Sequence, residues 1–249
     1  MRLDRGGTTI QVFEDTKGLG VGEPVAGTGG PLAASLGPGL LGGVFDGLQR
    51  PLPVLRQQGG DFVQSGRDAF PMDASARFRF ETDRQPGDAI AAGEPFGWVM
   101  EGHVRHPVCA GTAGTLRQLS PGDCSLEDVV ATFEDGTQLK LWHSWPVRQP
   151  RPRKVRQAPQ VPLVTGQRVI DAFFPIAKGG TACVPGPFGA GKTVIQHQLA
   201  KWADAEIVIF IGCGERGNEM TDVLSEFPEL QDPRSGEPLM KRTVLVANT

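Results

Sequence analysis

The chain has 249 residues with a formal net charge of −3, 39% hydrophobic and 21% charged residues. That length and apolar content provide for a real core and exclude bulk disorder, and the near-neutral charge excludes a surface built throughout for nucleic acid. No apolar run approaches the length of a membrane-spanning helix, the first residues lack a signal-peptide stretch, and the four cysteines show no C-x-x-C spacing, so a reduced, cytosolic chain is expected.

In chain order, "TTIQVFEDTKGLGVGEPV" reads as short strands broken by glycine, too few to close a barrel, and residues 1–24 are taken as one unit. Residues 25–57 contain "GPLAASLGPGLLGGVFDGLQRPL", an apolar segment expected to dock on another domain, with Phe45 and Leu48 spaced for one helical turn. Residues 58–145 are β-rich. In "EDVVATFEDGTQLKLWHSW" Val129, Ala131 and Phe133 alternate, Asp135-Gly136 signals a hairpin turn, and Leu139 and Leu141 alternate on the return.

"PVRQPRPRKVRQAPQVP", Pro146 to Pro162, is basic and proline-rich. A nucleic-acid arm would need aromatic residues for base stacking, and their absence favours a stiffened linker. Residues 146–249 then change period. Thr181–Val184 is expected as a strand, and Ile195, Leu199 and Trp202 as one face of a helix. Glu206–Cys213 reads as a parallel strand covered on both sides. Met220, Val223, Leu224 and Phe227 form a second helical face that Asn218 would cap, and "TVLVAN" is a last strand. This is βαβαβ, an α/β nucleotide-binding core.

Gly186, Pro187, Phe188, Gly189, Ala190, Gly191, Lys192 and Thr193 fit the phosphate-loop pattern G-x-x-x-x-G-K-[ST] between a strand and a helix. Glycines there let backbone N–H groups turn onto phosphates, a contribution that extends to Val194 at the helix N-terminus. Lys192 reaches the β- and γ-phosphates, and the Thr193 hydroxyl can ligate Mg²⁺. In "GCGERGNEM", Glu215 follows a strand on the same sheet edge, where a carboxylate can polarise water, and Arg216 beside it can pair with phosphate. His103, His106 and Cys109 have metal-like spacing, but Pro107 intervenes and no fourth ligand is evident. His197 is expected as a packing or surface residue, and Cys183 and Cys213 as buried small hydrophobes.

The stretch "GPFGAGKTVIQHQLAKWADAEIVIFIGCGERGNEMTDVLSEFPEL" closely resembles the catalytic A subunit of V-type (vacuolar or archaeal-type, including bacterial) rotary ATPases, and "LGPGLLGGVFDGLQRPL", "EDGTQLKLWHSWPVR", "VPLVTGQRVIDAFFPIAKGG" and "RTVLVANT" resemble it in the same order. The resemblance implies a multidomain α/β plus β chain. Residues 1–24 would be the remnant of an N-terminal β-barrel, 25–57 a segment docked on the nucleotide domain, 58–145 a β-rich bulge insertion and 146–249 a partial RecA-like domain. It implies ATP or ADP with Mg²⁺ held by Lys192 and Thr193, water activated by Glu215, and Arg216 near the γ-phosphate. The implied partners are B subunits alternating in a hexameric ring, central and peripheral stalk subunits and, indirectly, a membrane sector, with no nucleic acid; the implied location is peripheral, on the cytoplasmic side of a bacterial or archaeal plasma membrane. The family's chain is longer at both ends, so a fragment is expected, one that holds nucleotide weakly and does not turn it over alone. A Rho-type RNA translocase and a non-catalytic nucleotide-binding paralogue are the competing readings.

Overall fold

Hairpins and short strands dominate the computed structural model, which describes residues 2–4, 7–152, 158–187 and 189–248. Strands β1 (Arg2–Asp4) and β2 (Gly7–Thr9) pair antiparallel. Next come β3 (Ala33–Leu36), β4 (Val44–Asp46) and helix α1 (Leu52–Gly59), which Pro51 opens from its N-cap. The helical turn expected at Phe45 and Leu48 is therefore not formed. Phe45 lies in β4 with 2% of its surface exposed, because its partner is a distant strand rather than its own turn.

Residues 77–146 hold β5 (Arg77–Phe80), β6 (Ala89–Ile90), β7 (Pro95–Glu101), β8 (Val104–Cys109), β9 (Gly114–Leu119), β10 (Gly122–Ser125), β11 (Ala131–Phe133), β12 (Gln138–Leu139) and β13 (His143–Pro146). One sheet runs in the order β12-β11-β9-β6, while β5 pairs with β10 and β7 with β8. Phe80, Phe96, Leu116, Leu126 and Phe133 bury one shared core between these sheets. The hairpin at Asp135-Gly136 forms as expected, with Gly136 at φ 88°, a turn that needs glycine's freedom. The alternation misplaces one residue: Val129 is exposed and Val130 buried. The strand begins only at Ala131, and its register against β9 slips between Thr132 and Phe133.

The segment before residue 58 joins both larger parts of the chain. β3 pairs antiparallel with β13, and β4 pairs parallel with the last strand of the chain. Gly39 N donates to Glu101 Oε1 at 2.8 Å, a further tie to β7. Val147 N donates to Leu32 O, prolonging the β13–β3 pairing, and Trp145 Nε1 on β13 donates to Gln149 O of the linker. Linker residues 153–157 lie outside the described ones.

The remaining elements are β14 (Pro162–Leu163), α2 (Arg168–Phe173), β15 (Ile176–Ala177), α3 (Lys192–Trp202), β16 (Val208–Cys213), α4 (Gly217–Glu226) and β17 (Thr243–Asn248). β16 and β17 run parallel in register from Val208–Thr243 to Cys213–Asn248. Met220, Val223, Phe227, Leu239 and Leu245 form the core beside them. The expected strand at Thr181–Val184 is absent: it finds no neighbour to share a ladder with, and Cys183 is exposed. Cys213 is exposed as well. β16 is covered on one face only, with Ile209 63% and Ile211 61% exposed while Phe210 packs inward. On α3 the buried residue is Ala200 rather than Ile195 or Leu199, and Trp202 is 44% exposed. A small side chain lets the helix approach the sheet, and the long ones flank it. Asn218 lies inside α4, whose N-cap is Arg216 without a side-chain cap bond.

Behind the sheet, Arg242 and Asp232 form a buried ion pair, Nε to Oδ2 at 3.0 Å, with side chains 2% and 5% exposed. Arg242 Nη1 also donates to Ala205 O at 3.0 Å, tying the approach to β17 to the chain just after α3. Burial alone would raise the Asp232 carboxyl, but donors from the Arg234 amide, Arg242 and Ser235 outweigh it and hold the pKa below the usual carboxylate value. The stabilisation is present above the unfolded-state pKa and is lost as pH falls through the depressed folded value. Asp232→Ala, which strands a buried guanidinium, is expected to cost about 3–5 kcal/mol, and Asp232→Leu combined with Arg242→Met less than that. Urea unfolding at neutral pH measures both; an Asp232→Ala variant as stable as the parent would remove the pair from this role.

Candidate nucleotide-binding site

Helix α3 starts against the usual rules for helix starts. Its N-cap is Gly191 in the left-handed region at φ 79°, no side chain caps it, no acid lies in the first turn, and a lysine opens it. Ordinary helices favour Ser, Thr, Asp or Asn at the cap and acids in the first turn. The first-turn amides have no intrahelical acceptor, and no carboxylate of the helix's own first turn neutralises its positive end. Gly189 also sits at φ 78°. At Gly186 a Cβ would come 3.0 Å from the Ala190 Cβ, so the loop closes tightly there. These features suit an incoming anion.

Lys192 Nζ donates to Gly186 O at 2.6 Å and more weakly to Pro187 O at 3.4 Å. The ammonium therefore curls over the loop's own carbonyls, and turning it outward costs only these contacts.

The second wall comes from the end of β16. Gly214, at φ 69°, donates its amide to Asn248 O at 2.8 Å, which extends the β16–β17 pairing by one step and turns the chain into α4. Gly212 packs so closely against Met220 that a Cβ would lie 2.2 Å from its sulfur. Glu215 and Arg216 are thereby carried to the mouth of an open cleft of about 580 Å³. Gly189, Ala190, Gly191, Lys192, Thr193 and Val194 line it from one side, and Gly214, Glu215, Arg216 and Glu219 from the other. The expected phosphate-loop residues and the "GER" residues thus meet in one place. Gly186 and Pro187 stand behind the lining, and Phe188 lies outside the described residues. Glu219 and Gln196 were missed by sequence reading. For Glu219 the signal was its spacing of one turn from Glu215.

The donor set fits a phosphate-bound hard cation. Among the described residues no three of His, Cys, Asp and Glu are grouped to hold a metal ion. A cation here would take its ligands from phosphate oxygens and the Thr193 hydroxyl, the manner in which Mg²⁺ is usually held. His103, His106 and Cys109 do not make a metal site: His106 Nδ1 lies 3.0 Å from Glu101 Oε2, and the Cys109 thiol faces Pro107 O. His197 is a packing residue, edge-on to Phe210 and Phe227 with centroids 5.6 Å away, and its Nε2 is buried without a partner.

Residues 166–249 match the family described as ATP synthase alpha/beta family, nucleotide-binding domain, and residues 69–148 match the ATPsynthase alpha/beta subunit barrel-sandwich domain. The chain is 53% identical over 255 residues to the V-type ATP synthase alpha chain of Clostridium botulinum, covering 100% of this chain and 43% of that protein. It is 52% identical over 255 residues to V-type ATP synthase alpha chain 1 of Clostridium tetani, again covering 100% and 43%. With an A-type ATP synthase chain of Methanospirillum hungatei it shares 49% identity over 245 residues, covering 96% and 42%. It thus spans less than half the length of these relatives. No helix among the described residues is long and apolar enough to cross a membrane.

The loop geometry separates two glycines. Gly191→Ala forces a Cβ into the left-handed region and is expected to cost about 1–2 kcal/mol. Gly217→Ala, at the first position of α4 with open space around it, is expected to be neutral or stabilising by up to about 1 kcal/mol. Parallel urea unfolding of the two variants checks this; equal losses would mean that the phosphate-loop turn does not require Gly191.

Proposed function

We propose, for a chain that belongs to the ATP synthase alpha/beta family, that it is the ATP-binding catalytic portion of one chain of a V/A-type rotary ATPase, coupling ATP hydrolysis or synthesis to proton transport. The observation that carries the reading is the single cleft lined by both the Gly189–Val194 turn and Glu215–Arg216.

The roles follow from placement. The amides at the start of α3 and the Lys192 ammonium hold the β- and γ-phosphates of ATP or ADP. Thr193 supplies a hydroxyl to Mg²⁺, which neutralises phosphate charge when bound. Glu215, half-buried across the cleft, orients a water and draws off its proton, and Arg216 lies where it can bear on the γ-phosphate. Neither histidine nor cysteine lines this cleft, so among its described lining residues Glu215 and Glu219 are the available bases.

The resemblance carried by the sequence motifs extends the proposal to further assignments. The β-rich residues 58–145 would be the bulge insertion of the catalytic chain, 1–24 belong to an N-terminal β-barrel, 25–57 form the docking segment, and 146–249 form part of a RecA-like domain. B subunits in an alternating ring and stalk subunits would be the partners, with the assembly on the cytoplasmic side of the membrane. The same matches favour this reading over an RNA translocase or a non-catalytic paralogue.

In a full-length catalytic chain within its assembly, Glu215→Gln is expected to leave nucleotide affinity nearly intact and to lower turnover by roughly 10²–10⁴-fold. Lys192→Ala is expected to lose affinity instead. Equilibrium nucleotide binding and steady-state phosphate release measure the two separately. Wild-type turnover in Glu215→Gln would remove Glu215 from catalysis.

A further inference from the structure

Away from the phosphate loop, a cavity of about 350 Å³ lies where the turn after β3, strands β8 and β13, and the approach to β16 meet. Through Val104, Arg105 and Glu206 it adjoins a second recess of about 410 Å³ beside the buried Asp232–Arg242 pair. Leu40, Val104, Leu141 and Ile207 give the first cavity apolar walls.

Its polar groups are mostly donors. Arg151 lies over the Trp145 ring at 4.3 Å and places Nη1 2.8 Å from His143 Nε2. A guanidinium only donates, so Nε2 is the acceptor and the imidazole proton sits on Nδ1. Burial, with the Arg151 charge adding to it, lowers the His143 pKa to about 4 and keeps the ring neutral at pH 7. Its Nδ1–H is buried with no acceptor. Arg105 lies over the Trp98 ring at 3.9 Å. Neither arginine has an ion-pair partner among the described residues: their contacts are the two rings and, for Arg151, His143 and the Cys109 thiol. The cavity lining contains one carboxylate, Glu206, against two guanidiniums.

Two exposed guanidiniums each lie over an indole; Arg105 has no carboxylate partner among the described residues, and Arg151 commits Nη1 to His143 while the rest of its fork meets no carboxylate. Planar forks of this kind match carboxylate and phosphate oxygens, and the volume is that of a small-ligand site. We propose that this cleft binds a small oxyanion-bearing molecule, a phosphate or carboxylate compound with a short apolar portion, held by Arg105 and Arg151 at the junction of the β-rich and nucleotide-binding parts. The site is separate from the phosphate loop and does not rest on the function assigned to it. Because β3, β8, β13 and the approach to β16 all line it, an occupant would bear on how these parts sit together.

The test is calorimetric titration of this chain carrying Lys192→Ala, which removes the phosphate loop's ammonium, with inorganic phosphate, pyrophosphate and citrate as probes. Tryptophan fluorescence provides a second readout, since Trp98 and Trp145 lie beneath the two guanidiniums. Saturable binding of at least one probe is expected, weakened about tenfold or more by Arg105→Ala and by Arg151→Ala, and less by the corresponding lysine variants. Preference for citrate or pyrophosphate separates carboxylate from phosphate recognition. Both arginines are exposed, and matched thermal unfolding of the variants keeps a binding loss distinct from misfolding. No saturable binding of any probe, or binding unchanged in both alanine variants, would overturn the proposal.

Discussion

The parallel pairing of β16 with β17 is the constraint on which the rest of the site depends. Its ladder runs in register to Cys213–Asn248, and the Gly214 amide adds one more bond to Asn248 O. Where that ladder ends, the chain is released into α4, so the position of Glu215 is set by backbone bonds rather than by side-chain contacts. Gly212 permits the close approach of Met220 and seats α4 on the sheet. On the other side, Ala200 is small enough to bring α3 against the same core. The starts of α3 and α4 therefore open onto one cleft beside the carboxyl end of β16, the edge where ligands generally bind in parallel sheets.

The start of α3 gives up helix stability, which the proposed binding role explains. A left-handed glycine cap, no capping side chain and a lysine in the first turn each work against the helix there. The cost is offset elsewhere, by the packing of Ala200 and by the Arg242 bonds to Asp232 and Ala205 that secure the chain leaving α3. Violations of local rules concentrated at one helix end, beside an otherwise consistent core, are the pattern expected of a binding site.

What could be read from the sequence was what is encoded locally. The Met220–Val223 face of α4 and the Asp135-Gly136 turn depend on residues a few positions apart, and each appears where the spacing places it; the glycines before α3 take the left-handed conformation at Gly189 and Gly191. What could not be read depends on distant partners. Phe45 and Leu48 are spaced for a helical turn, yet Val44–Asp46 is a strand because β17, near the far end of the chain, offers it a ladder. Thr181–Val184 looks like a strand and has no ladder to join. Ile209 and Ile211 are apolar and exposed because coverage of a strand's second face is decided by other segments. The anion-compatible cavity is a further case, since Arg105 on β8 meets His143 and Arg151 from the stretch around β13 with no shared motif.

The start of α3 and the start of α4 should act as one site. Amide hydrogen exchange of this chain, with and without Mg-ATP, tests that claim most directly. Amides of residues 189–194 and of residues 214–219 are expected to slow together when nucleotide is added. Protection confined to the first segment, with 214–219 unchanged at saturating nucleotide, would contradict it.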